Sequence, residues 1–279
     1  MIYDKKTLFI SDLDGTLLTR SVEISGYTRN TLNDMIANGL VFSVATARTY
    51  ATVGKILEGL SLHIPIVLMN GVLIYDMEHK LYIQVNSLTS EIVAAVWDTL
   101  KRFAITGFMY ELNNGEQTTY YESLESKPLR DFTEERITLY NKVFRYTSSF
   151  DCISPEHIVY FSLLDSYERL LPVHDVLTAQ PGLGLAMYKD IYSPDLWYLE
   201  IFSSVASKRN AVSYLRDTYG FERIVGFGDN LNDLPMFEVC DISVAPENAN
   251  PQVKAAADHI CGANDADGVV NWLKENALL

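Results

Sequence analysis

Short apolar runs alternate with helix-period segments through the first quarter of the chain. Residues Thr7–Ser11 (TLFIS) are apolar almost throughout and predict a buried strand. The stretch 28–38 has apolar positions at helical spacing and stops at Gly39, a residue suited to the left-handed position after a helix. A strand over 40–44 (LVFSV), a helical stretch over 50–60 and a strand over 66–69 (IVLM) follow. The last third repeats this rhythm: a helix at 206–219, a strand at Arg223–Phe227 (RIVGF), a short helix at 234–239, a strand at 242–244, and helices at 251–257 and Gly268–Asn276. Strands that are apolar along their whole length, separated by helices, predict a parallel sheet covered on both faces.

Between 85 and 190 the texture changes. Segments such as 105–112 (ITGFMYEL) and 158–163 (IVYFSL) look like antiparallel strands, and helices are expected near 90–102 and 166–179. This pattern predicts a separate α+β insertion between two halves of an α/β domain, 1–84 and 191–279.

Composition narrows the partners. Apolar residues make up 48% of the chain and charged residues 21%, enough for a sizeable core. The formal charge of −14 disfavours nucleic acid and anionic membranes, whose phosphates it would repel. It also sets a requirement: a phosphorylated ligand needs its charge cancelled locally, by a metal ion and a few placed basic residues. Three widely spaced cysteines, Cys152, Cys240 and Cys261, contain no CxxC pair, which argues against a disulfide framework and a cysteine zinc site. No signal-peptide core precedes the first strand, and no apolar run approaches the roughly 18 residues of a spanning helix. The expectation is a cytoplasmic protein.

The chemistry-bearing residues sit where the predicted strands end. Asp12-Leu13-Asp14-Gly15-Thr16 follows the first strand, and ligands of open parallel sheets bind outside the carboxyl ends of strands. Two carboxylates two residues apart, followed by a glycine turn, can aim at one point. One can attack phosphorus while the other handles the leaving-group proton, and their mutual repulsion implies a cation. Asp-Gly is also ordinary turn chemistry, the plainer alternative. Gly228-Asp229-Asn230-Leu231-Asn232-Asp233 follows another apolar strand with oxygen donors suited to a hard divalent cation, or to capping a helix. Lys208 opens a predicted helix, where its charge opposes the helix dipole at a cost of up to about 1 kcal/mol. That placement hints that its ammonium serves something else, with a solvated lysine on a surface helix as the plainer alternative. Thr46 ends the second strand beside free backbone N–H groups, a place suited to a phosphoryl oxygen. Asn70-Gly71 reads most simply as a hairpin turn, with a ligand role for Asn70 as the lesser alternative.

Taken in order, DLDGT, the strand-end Thr46, the helix-opening Lys208 and GDNLND resemble the haloacid dehalogenase superfamily, in particular its Cof-type phosphatases. The resemblance extends through Asn248-Ala249-Asn250, Val253-Lys254 and Asp267-Gly268-Val269, covering about two-thirds of the chain. It implies a Rossmann-like core with 85–190 as an inserted α/β cap. It further implies that Asp12 is the nucleophile and Asp14 the acid–base residue. Thr46, Lys208 and Asn232 would bind phosphate, and Mg²⁺ would sit on Asp12, the Asp14 carbonyl and Asp229, with Asp233 supporting that shell. The substrate implied is a small phosphorylated metabolite. Two positions depart from the family pattern: Ala47 precedes Arg48, and Arg209 follows Lys208, where glycines are usual. Arg48 and Asn70 are candidates for substrate contact. A phosphomutase of the same superfamily would share every motif. A non-catalytic phosphosugar sensor would be expected to lose Asp12, Asp14 or Lys208, and all three are present.

Overall fold

Strand β1 (Thr7–Ser11) is buried at every position, as its unbroken apolar run requires. In the computed structural model, which describes residues 5–190 and 195–277, this strand lies inside a parallel sheet. Helix α1 (Gly26–Ala37) starts where Ser25 accepts a hydrogen bond from the Thr28 amide and is followed by Gly39 at φ 103°. Strand β2 (Val41–Val44) pairs in parallel with β1. After α2 (Tyr50–Ile56), β3 (Ile66–Leu68) is joined to the end of β2 by a parallel bridge between Ala45 and Val67. Strand β4 (Leu73–Asp76) then pairs antiparallel with β3, so Asn70-Gly71 forms a hairpin turn. With β5 (Leu81–Val85) they make a three-stranded sheet, and the chain then leaves this unit.

The second compact unit runs over Val85–Ala206. It contains α3 (Ser90–Phe103), β6 (Gly107–Asn113), β7 (Glu116–Tyr121), α4 (Lys127–Tyr140), β8 (Phe144–Tyr146), β9 (Ile158–Asp165), α5 (Tyr167–Thr178), β10 (Leu183–Lys189) and β11 (Trp197–Ser203). The strands form one mixed sheet in the order β10-β11-β9-β6-β7-β8. One face carries Met109, Phe161, Leu163, Leu199 and Ile201, packed with Val93, Val96 and Trp97 of α3 and Leu170, Val173 and Leu177 of α5. The expected return to the first unit at 191 lies outside the described residues. Strand β11, allotted by that reading to the core, hydrogen-bonds to β9 and β10 and belongs to the insertion.

The returning segment completes the first sheet. Helix α6 (Lys208–Tyr219) is capped by Ser207 and ends at Gly220 in the left-handed region. Then come β12 (Arg223–Phe227), α7 (Leu234–Phe237), β13 (Ile242–Pro246), α8 (Pro251–Ala256), β14 (His259–Cys261) and α9 (Gly268–Asn276). The strand order is β14-β13-β12-β1-β2, all parallel, and Leu8, Ile10, Ile224 and Ala245 pack with Val212 and Leu215 of α6. The order reverses at β1: the next strand in sequence, β2, lies on one side and β12 on the other. Such a switch point leaves a crevice at the carboxyl ends of β1 and β12. Among the described residues, no helix is long and apolar enough to cross a membrane.

On the second unit's other face, Lys142 is 7% exposed, its Nζ 4.4 Å from the Tyr110 ring centroid and 5.2 Å from that of Phe144. Burial, with the nearby Arg136 charge, pushes its pKa down to about 7. The folded protein thus releases a proton that the unfolded chain keeps up to about pH 10, so stability rises with pH across that window. The expected slope is about 1 kcal/mol per pH unit between pH 7 and 9. Lys142→Met should flatten it and raise the melting temperature at pH 7, measurable by thermal unfolding at several pH values. An unchanged slope would show that Lys142 does not titrate in this range.

Candidate active site

Asp12 continues the ladder of β1, its amide donating to the Phe227 carbonyl of β12 at 2.8 Å. The chain then turns sharply through Leu13–Leu17, with Gly15 at φ 73°. A Cβ there would lie 2.4 Å from Asp229 Oδ2, so both the backbone angle and the neighbouring acid demand glycine. The turn brings Thr16 Oγ1 to donate to Asp229 Oδ1 at 2.9 Å. This threonine received no separate role from its sequence; its place directly after the two aspartates was the available signal.

The other strand ends converge on the same crevice. Thr46 follows β2, is fully buried, and accepts the Arg48 amide on Oγ1 at 3.2 Å. Its carbonyl accepts the Asn70 amide, which ties the 69–71 turn to this strand end. Gly71, at φ 99°, passes so close to α6 that a Cβ would stand 2.2 Å from the Ser207 carbonyl oxygen. Asn70 Oδ1 in turn accepts from Asn232 Nδ2 at 3.1 Å. Asn70 and Asn232 thus hold two loops together. Asn248 braces the first turn by donating to the Gly15 carbonyl at 2.7 Å.

Lys208 is the centre of this arrangement. The residue is 1% exposed, and Nζ donates to Asp12 Oδ1 at 2.8 Å and to Asp233 Oδ1 at 2.6 Å. Asp233 is fully buried, and its Oδ2 accepts the amides of Asp229 and Asn230 at 2.9 and 3.0 Å. It caps the turn after β12 and anchors the lysine at once. Oxygens of Asp12, Asp229 and Asp233 all lie within 4.8 Å of one another.

The electrostatics follow from burial. Desolvation pushes Asp12 well above the usual carboxylate range, with Asp233 and Asp229 adding to the effect and Lys208 opposing it. Asp229 is pushed up to about 6, first by burial and then by the Asp233 charge, against the Thr16 hydrogen bond. Burial works to strip the Lys208 proton, but the Asp12 and Asp233 carboxylates outweigh it and hold the ammonium above its usual range. Three acids share one ammonium. Asp12 Oδ2 and Asp229 Oδ2 stay outside the hydrogen-bond network of the described residues. Hard oxygen donors, excess negative charge and uncommitted oxygens suit a divalent cation.

Asp14 stands apart from this cluster. Its two carboxylate oxygens are both held by Arg48, Nε and one terminal nitrogen each at 2.7 Å, in a bidentate pair. In this arrangement Arg48, a candidate for substrate contact, grips the second aspartate. Arg209 pairs on the surface with Glu238 at 2.6 Å, away from the acids.

The description haloacid dehalogenase-like hydrolase matches residues 9–273, nearly the whole chain. The chain belongs to that family. Among proteins of similar sequence is the phosphatase YwpJ of Bacillus subtilis, 26% identical, with 96% of this chain and 98% of YwpJ covered. Another is the 5-amino-6-(5-phospho-D-ribitylamino)uracil phosphatase YitU of the same bacterium, 25% identical, with 97% of each covered. In fold the chain is similar to a haloacid dehalogenase-like hydrolase of Bacteroides thetaiotaomicron, with TM-score 0.81 and 24% identity, covering 96% of this chain and 98% of that one. A subclass IIB sugar phosphatase shares the fold at TM-score 0.77 and 19% identity, with 98% and 100% covered. The chain is a Cof-type phosphatase of the haloacid dehalogenase superfamily, a phosphoric monoester hydrolase, with its parallel sheet interrupted by an inserted mixed-sheet unit.

Lys208→Met should leave Asp12 and Asp233 buried together without their cation. The expected loss is about 3–5 kcal/mol of unfolding free energy in metal-free buffer, measured by urea denaturation. A loss below about 1 kcal/mol would mean that the acids do not depend on the ammonium.

Proposed function

We propose that the protein is a Mg²⁺-dependent phosphatase of small phosphorylated metabolites that works through an aspartyl-phosphate on Asp12. The observation that carries this reading is the Lys208 ammonium joined to both Asp12 and Asp233 beside Asp229, at the carboxyl end of β1. A nucleophilic carboxylate beside a phosphate dianion suffers strong repulsion, and a fixed ammonium on its Oδ1 lessens it while leaving Oδ2 to attack.

In the first displacement, Asp12 Oδ2 bonds to phosphorus and the ester P–O bond breaks. The leaving alkoxide takes the proton of Asp14. In the second, a water gives its proton to Asp14 and attacks phosphorus. The acyl-phosphate P–O bond breaks and restores the Asp12 carboxylate with release of inorganic phosphate. Because both Asp14 oxygens are engaged by Arg48, the acid step requires that this bidentate contact be released. Thr46 and Lys208 line the phosphoryl pocket in this reading. Asn232, which would join them in binding phosphate, donates to Asn70 Oδ1. Asp12, the Asp14 carbonyl and Asp229 would hold Mg²⁺, with Asp233 supporting them. The metal, when bound, neutralises phosphoryl charge and orients the oxygens. The relatives named for a phosphorylated ribityl compound, and the fold shared with a sugar phosphatase, support a phosphorylated metabolite as substrate.

Two experiments test this. Hydrolysis of 4-nitrophenyl phosphate should vanish in excess chelator and return with Mg²⁺, with Ca²⁺ a poor substitute because of its looser coordination; full activity in chelator would refute the mechanism. Asp12→Asn should abolish turnover and covalent phosphate. Asp14→Asn should cost about 10²- to 10⁴-fold in kcat, less for esters with good leaving groups. Phosphoenzyme accumulating in Asp12→Asn would show that another residue is the nucleophile.

A further inference from the structure

Asp14 and Arg48 meet through a fork. Nε donates to Oδ2 and a terminal nitrogen to Oδ1, each at 2.7 Å, so one guanidinium engages both carboxylate oxygens. The Arg48 backbone is pinned: its amide donates to Thr46 Oγ1 at 3.2 Å, and its carbonyl accepts the Met69 amide at 3.1 Å. The turn that carries Asp14 is pinned as well, by Asn248 on the Gly15 carbonyl and by Thr16 on Asp229. What can move is the arginine side chain, on a backbone that sits beside Thr46.

Lys208 and Arg48 differ in how firmly their partners hold them. The Lys208 side chain is wholly buried between Asp12 and Asp233, and withdrawing it from either would leave a buried carboxylate unpaired. The Arg48 side chain is 19% exposed and that of Asp14 50%. An ion pair so open to water is weak, because water solvates either partner once they separate. The Arg48 guanidinium can therefore change partners where the Lys208 ammonium cannot.

The acid role proposed for Asp14 demands such a change. With both oxygens engaged, the carboxylate can neither hand a proton to the leaving oxygen nor take one from water. A competitor for Arg48 must present two oxygens at the spacing of the fork and more charge than a carboxylate. A phosphoryl dianion does both. We propose that the substrate's phosphoryl group draws the Arg48 guanidinium off Asp14, so that the arrival of phosphate itself releases the acid. One set of N–H···O bonds is exchanged for another, no covalent bond changes, and departure of inorganic phosphate returns the guanidinium to Asp14. This rests on the phosphatase reading above and adds a control to its acid step.

The test compares full-length wild type, Arg48→Ala and Arg48→Lys in the presence of Mg²⁺. Binding of inorganic phosphate is measured by calorimetry. Values of kcat and KM are measured on 4-nitrophenyl phosphate and on 2-phenylethyl phosphate, whose alkoxide needs the acid. Arg48→Ala should weaken phosphate binding and raise both KM values about 10- to 100-fold, the worth of hydrogen bonds between charged groups. Arg48→Lys keeps the charge without the fork and should lose less. In both variants the ratio of kcat on the alkyl ester to kcat on the aryl ester should stay within about threefold of wild type, because Asp14 is free in the phosphate-bound site either way. A ratio lowered about tenfold or more would make Arg48 a fixed support for Asp14 and overturn the exchange. Phosphate binding unchanged in Arg48→Ala would overturn it too. So would melting temperatures lowered in both variants with equal losses of kcat on both esters, since Arg48 would then be structural. Wild type that neither binds phosphate nor cleaves either ester would instead sink the phosphatase reading itself.

Discussion

The first unit is organised around one buried ion triad, the Lys208 ammonium between Asp12 and Asp233. A lone buried ammonium would be prohibitive, and so would two buried carboxylates. Together they fix the ends of β1 and β12 and the start of α6 to one another. The surrounding backbone is shaped to allow this contact. Gly228 is needed because a Cβ would stand 2.5 Å from Asp233, and Gly15 because a Cβ would strike Asp229. Gly71 lets the hairpin turn press against the residue before Lys208. Each glycine marks a place where polar groups come closer to the backbone than a side chain permits.

This explains which residues were legible in the sequence. Asp12, Asp229, Asp233 and Lys208 stand at predicted strand ends or helix starts, where side chains must point into the crevice once the sheet is parallel. Lys208 was further marked by its unfavourable position at a helix N-terminus, and its two carboxylate partners account for that placement. The residues harder to read are those whose role depends on a partner distant in sequence. Arg48 and Asp14 are joined by geometry that no local pattern encodes. Asn70 accepts from Asn232, and Thr16 donates to Asp229, each across a long stretch of sequence.

The fold shows the same division. Elements with a single strong period, such as β1, β12 and α6, were readable because burial alone determines them. Strand β11 was not: Trp-Tyr-Leu-Glu-Ile-Phe-Ser alternates, but alternation says only that one face is buried. It does not say in which sheet the strand lies. Its membership of the inserted sheet is decided by pairing with β9 and β10, which are separated from it by α5 and a connecting segment.

The distribution of charge ties the site to the chain as a whole. Four aspartates, Asp12, Asp14, Asp229 and Asp233, face two cations, Lys208 and Arg48, so the formal sum is −4 + 2 = −2. That excess resides on a protein already at −14. Two unit charges about 4 Å apart interact by roughly 4 kcal/mol at an effective dielectric of about 20. A phosphate dianion would therefore be rejected by the side chains alone. Burial first, and the neighbouring carboxylates after it, raise the proton affinities of Asp12 and Asp229. A divalent cation would bring the sum to zero without disturbing the triad, because Asp229 keeps an oxygen outside it. Lys208 cannot substitute for that cation, since Asp12 and Asp233 already engage its ammonium. Under the proposed mechanism, the positive charge that phosphate requires would enter with the metal.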